Sequence, residues 1–166
     1  MGKRLLNPLT MFVMGLCAGI LSRLLDICTQ NLGEIFSQMA VWILLGTLIS
    51  IYSGTPKRAA ANTLSFCLGM LMAYYAVAAL THGVYNTVFI IGWTAFALCS
   101  PVLAYLTWMT RRGGMFSQII RIGIVAVSVL SSVVLFDGFR IHDLLIDGCL
   151  VYFLFFAGVQ RNDAGR

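Results

Sequence analysis

Five residues that can carry charge or protons, Asp137, Arg140, His142, Asp143 and Asp147, crowd into the stretch LFDGFRIHDLLIDG at 135–148. The chain around them is 60% hydrophobic and only 10% charged. Asp143 and Asp147 are four apart, so on a helix they stack on one face and repel. Something must compensate them. Arg140 stands three residues before Asp143, and Arg23 is the candidate from elsewhere in the chain, since a cation in an apolar segment is costly unless it snorkels or pairs.

Metal and catalytic chemistries find less support. His142 could combine with Asp143, Asp26 or Glu34, and His82 is a second imidazole, but no H-x-x-x-H or H-E-x-x-H spacing supports a metal site. Ser128, Ser131 and Ser132 lack a G-x-S-x-G turn and a histidine within reach of sequence logic. There is no G-x-x-x-x-G-K-[ST] loop for a nucleotide. No catalytic residue, metal site or cofactor is therefore assigned.

These residues must be positioned by membrane helices. The mean hydropathy of +0.91 and the apolar runs exceed what a soluble domain of 166 residues could cover with polar surface. A helix needs roughly 20 mainly apolar residues to cross the hydrocarbon. Six segments qualify, at 9–25, 35–52, 59–80, 88–109, 116–136 and 141–159. Their continuous rather than alternating hydrophobicity excludes a β-barrel. The fold class is all-α, a six-helix transmembrane bundle forming a single domain over 1–166.

Charge gives the orientation. Lys3, Arg4, Lys57, Arg58, Arg111, Arg112, Arg161 and Arg166 fall on one side of such a bundle and only Arg140 on the other, with Arg23 and Arg121 inside segments. That split predicts both termini in the cytoplasm of a cell-membrane, multi-pass protein. The net charge of +5 is thus an orientation signal and gives no reason to expect nucleic acid. The N-terminus has a basic start and an apolar run without a small-x-small cleavage site, so it reads as an uncleaved first helix. The Pro and Gly in SGTPKRA and TRRGG read as helix stops. The five cysteines show no C-x-x-C spacing and read as packing residues.

With the termini inside, Arg23, Trp42, Tyr75, Trp93, Asp143 and Asp147 share the outer half of the bundle, together with Gln38, Tyr74 and the helix-five serines. Converging polar and aromatic groups are the ingredients of a small-molecule pocket, and an aromatic belt with a snorkelling arginine is the structural alternative. Pro101 should kink the fourth helix and open space beside it. Gly15 and Gly19 form a G-x-x-x-G pair, and Ala61, Ser65, Gly69 and Ala73 repeat every fourth residue. Such stripes allow close helix approach, either within the bundle or against another subunit.

Runs such as NLGEIFSQMAVWILLGTLISIYSGTPKRAA and VLFDGFRIHDLL resemble an uncharacterised family of small bacterial multi-spanning proteins, over nearly the whole chain. The size, the six helices, the cytoplasmic termini and the small-residue pair of helix one are also similar to the substrate-binding S subunits of energy-coupling-factor transporters. In those subunits a small-x-x-x-small pair on the first helix contacts the shared membrane partner. The resemblance implies that role for Gly15 and Gly19, with Gly where Ala is more usual.

The function expected is a non-enzymatic solute-binding or transport subunit with an outward-facing site. The alternative is a structural, assembly, immunity or regulatory membrane protein without a small-molecule substrate, and a membrane-embedded enzyme is third. The expected partners are the lipid bilayer and either other membrane subunits or further copies of the chain.

Overall fold

A computed structural model describes residues 6–29, 38–81, 87–135 and 141–157. Among these residues there is no strand, and six helices follow one another: α1 Pro8–Cys28, α2 Met39–Tyr52, α3 Pro56–Leu80, α4 Thr87–Met109, α5 Met115–Leu135 and α6 Ile141–Val151. A 3-10 turn, Thr110–Arg112, extends α4, and a π-helical turn, Tyr152–Ala157, continues α6. α1, α3, α5 and α4 with its extension are long and apolar enough to cross a membrane. At 1.5 Å per residue the 14 residues of α2 rise only about 21 Å.

Two prolines start helices rather than stop them. Pro8 and Pro56 each occupy the first turn, where a missing N–H costs nothing. The Thr55 hydroxyl accepts the Arg58 N–H at 3.2 Å, and the Asn7 N–H donates to the Thr10 hydroxyl at 3.2 Å. α3 accordingly begins at Pro56, three residues ahead of the apolar run, because capping chemistry rather than hydropathy sets its start. Gly113 and Gly114 have φ of 72° and 92°, a backbone that side-chain-bearing residues resist, and they turn the chain from α4 into α5.

α1 packs against α3, and α2 lies at the centre, touching α3, α4, α5 and α6. One apolar cluster, with Met11, Trp42, Phe66, Met70 and Ala97, joins α1 to α4. A second, with Ile51, Leu150 and Leu154, joins α2 to α6. The interior is otherwise small and polar, since Ser50, Ser53, Asn62, Ser128 and Ser132 are buried while Leu9, Val134 and Leu144 are exposed. Apolar side chains outside and hydrogen-bonding groups inside is the distribution hydrocarbon solvent selects, because lipid does not drive Leu inward.

The closest approach is between α1 and α3. A Cβ on Gly15 would collide with the Phe66 carbonyl oxygen, one on Gly19 with that of Met70, and one on Gly69 with that of Phe12. The two small-residue stripes of the sequence thus face each other inside one chain. Gly15 and Gly19, expected to meet either a neighbouring helix of the bundle or another subunit, are buried against α3.

Candidate functional site: a hydroxyl-lined cavity between two polar ends

Between α2, α3, α4 and α5 lies a cavity of about 290 Å³. Its walls are mainly apolar, and Thr47, Ser50, Thr63, Ser100 and Thr107 bring hydroxyls to it. Ser50 donates to the Gly46 carbonyl at 2.6 Å, Ser100 to that of Ala97 at 2.7 Å and Thr107 to that of Leu103 at 2.8 Å. Since each hydroxyl has one hydrogen and two lone pairs, these donors are spent within their own helices. Ser50, Ser100 and Thr107 therefore offer a guest acceptor capacity in an apolar container. Leu103, Gly123 and Val127 line the cavity and are also exposed, so it reaches the lateral surface between α4 and α5.

Pro101 accounts for one of these hydroxyls. Proline has no N–H for the carbonyl four residues earlier, and that carbonyl, of Ala97, is the one Ser100 takes. α4 continues through Pro101 as one helix from Thr87 to Met109. Hydroxyls commonly satisfy a carbonyl freed by proline in membrane helices.

At the end of the bundle where α3 begins, basic residues gather on backbone carbonyls. The Ser53 carbonyl accepts from the Trp108 indole and from Arg111, both at 3.0 Å. Arg111 and Arg112 lie over the Trp108 ring at 5.4 and 5.6 Å from its centroid. Arg121, 6% exposed, donates to the Thr110 carbonyl at 2.6 Å, which the Ser117 hydroxyl shares at the same distance. Arg121 also stands over the Phe155 ring. Trp108 and Arg111 thus cap the end of α2 at Ser53, and Ser117 and Arg121 cap the extension of α4 at Thr110.

The opposite end is acidic. Asp26 accepts from the Tyr74 hydroxyl at 2.7 Å and pairs with Arg23 at 3.7 Å. Arg23 also lies over the Tyr74 ring. At the start of α2, Gln38 Nε2 meets His142 Nε2 at 2.8 Å. Asp143 is fully buried in the first turn of α6, where the helix dipole favours a carboxylate. One turn later Asp147, 6% exposed, accepts the Ser128 hydroxyl at 2.6 Å on one oxygen, and its other oxygen is buried without a hydrogen-bond partner.

The expected grouping of Arg23, Trp42, Tyr75, Trp93, Asp143 and Asp147 therefore separates into three. Arg23 belongs to α1 and α3 through Asp26 and Tyr74 and is no partner of Asp147, because α1 packs on α3 while α6 packs on α2 and α5. Trp42, Tyr75 and Trp93 join the apolar cluster between α1 and α4. Trp42 also lines the cavity. Asp143 and Asp147 lie together on α6 with Ser128. Arg140, Asp137, His82 and Glu34 lie outside the described residues. Among the described residues no three His, Cys, Asp or Glu side chains converge as a metal site would require.

A family profile matches residues 2–152. The chain belongs to DUF6518, a family of unknown function. No curated protein and no solved structure matches it. The membership agrees with the resemblance to an uncharacterised family read from the sequence, and it assigns no activity.

The cavity escaped the sequence reading, which looked for aromatic and charged residues. Its signal was modest: Gly46, Thr47 and Ser50 within two turns of α2, and Ser100 beside Pro101.

Proposed function

We propose that this membrane-embedded bundle is a non-enzymatic binding subunit for a small, uncharged and mainly apolar solute, held in the cavity between α2, α3, α4 and α5 and used in transport. The observation that carries the reading is the cavity itself, with apolar walls, acceptor hydroxyls and a lateral face between α4 and α5. Its volume is at the low end of the roughly 300–1,000 Å³ typical of ligand sites. The acceptor hydroxyls of Ser50, Ser100 and Thr107 suit a solute carrying one or two N–H or O–H groups. In the proposed orientation the basic end with Lys57, Arg58, Arg111 and Arg112 faces the cytoplasm and the acidic end faces outward.

Gly46 provides the test, because a Cβ there would make ordinary contact with Thr63 at 3.6 Å and a longer side chain would grow into the cavity. Native mass spectrometry of protein released from membranes should detect a bound solute, lost in Gly46→Leu. Equal occupancy in the filled variant, or no bound solute in the natural protein, would overturn the proposal.

A further inference from the structure

The carboxyl of Asp147 has no role in the cavity, and its surroundings are unusual for an ionised group. One oxygen holds the Ser128 hydroxyl and the other is buried with no hydrogen-bond partner. The elements packed on α6 are α2 and α5, with the π-helical turn following it. α2 carries no charged residue, and the charged residue of α5, Arg121, stands at the basic end, donating through Nη2 to the Thr110 carbonyl and lying over the Phe155 ring. On α6 itself the nearest charged neighbour is Asp143, of like sign, and His142 is engaged with Gln38. Among the described residues the one salt bridge is Arg23 with Asp26. A buried carboxylate without a cation is among the most costly arrangements in a membrane interior.

We infer that Asp147, held by Ser128, is a proton-binding site of the bundle, loaded from the acidic end past His142, Gln38 and Asp143. A proton taken from water neutralises the carboxylate at its unpartnered oxygen, and release returns the charge and the proton to water. His142 is half-buried and its imidazole can accept and donate a proton. Gln38, 1% exposed, keeps a buried, unpartnered carbonyl oxygen beside it. Asp143 is the next carboxyl, one turn before Asp147. Among the described residues no three His, Cys, Asp or Glu side chains converge here to hold a metal cation.

This inference does not depend on the solute reading, since neither Asp147 nor Ser128 is among the residues that line the cavity. Infrared difference spectroscopy in lipid nanodiscs, natural protein minus Asp147→Asn, tests it with the proton itself as the probe. The expected result is a carboxylic-acid carbonyl band in neutral buffer that is lost in Asp147→Asn and moves to higher frequency in Ser128→Ala, which removes its hydrogen bond. Ser128→Ala stands alone as a test if Asp147→Asn fails to fold. A difference spectrum with only carboxylate bands from mildly acidic to mildly alkaline buffer would overturn the proposal. So would replacement of the acid band by a carboxylate band on adding sodium, which would assign the site to a metal cation. Loss of solute binding in Gly46→Leu should leave the band unchanged, so the two readings fail separately.

Discussion

At the scale of single residues, the pair Ser100 and Pro101 makes a sharp case of mutual dependence. The serine hydroxyl answers the carbonyl that the proline strands. Ser100→Ala should therefore leave the Ala97 carbonyl buried and unsatisfied, at a cost of about 1–3 kcal/mol. Restoring an N–H with Pro101→Ala should recover much of that loss, so the double variant should be more stable than Ser100→Ala alone. Denaturant unfolding in detergent, run as a double-mutant cycle, measures the coupling. Additive losses would mean the two residues act separately. Such local chemistry was legible in part: Pro101 was an expected opener of space, but nothing in the order of residues said its carbonyl would be answered by the preceding side chain. Arg23 shows the opposite limit. Its need for a carboxylate was evident from its apolar setting, yet Asp26, three residues on along the same helix, satisfies it more simply than the distant Asp147.

At the scale of elements, glycines that look alike do different work. Gly15, Gly19 and Gly69 bring α1 and α3 into backbone contact, whereas a methyl on Gly46 meets only ordinary van der Waals distance. Gly15→Ala should destabilise by about 1–3 kcal/mol through overpacking against backbone that cannot yield. Gly46→Ala should be neutral or stabilising by up to about 1 kcal/mol, the helix-propensity difference. Thermal unfolding of the two variants in one detergent checks the contrast, and equal losses would contradict it. The helices themselves were readable because hydrocarbon demands long apolar runs; their starts were displaced where Asn7, Thr55 and proline take over from hydropathy. Which stripe meets which was unreadable, since G-x-x-x-G spacing states that something approaches closely without naming the neighbour.

At the scale of the whole molecule, the two ends differ in charge, and that asymmetry predicts orientation. In a cysteine-free background, a cysteine at Thr81 should react with an impermeant thiol reagent outside intact cells, and one at Lys57 should not. Labelling at Lys57 alone would invert the bundle, and with it the side from which Asp147 is loaded. The arrangement of α1 carries a further consequence, one of timing. Its main neighbour is α3, whose Gly69 lies 54 residues after Gly15, and chains grow at about 5–20 residues per second. For roughly 3–10 s during synthesis the glycine face of α1 has nothing of its own to meet. Whatever shelters that groove in the interval, lipid or the insertion machinery, must leave again before α3 can close on it.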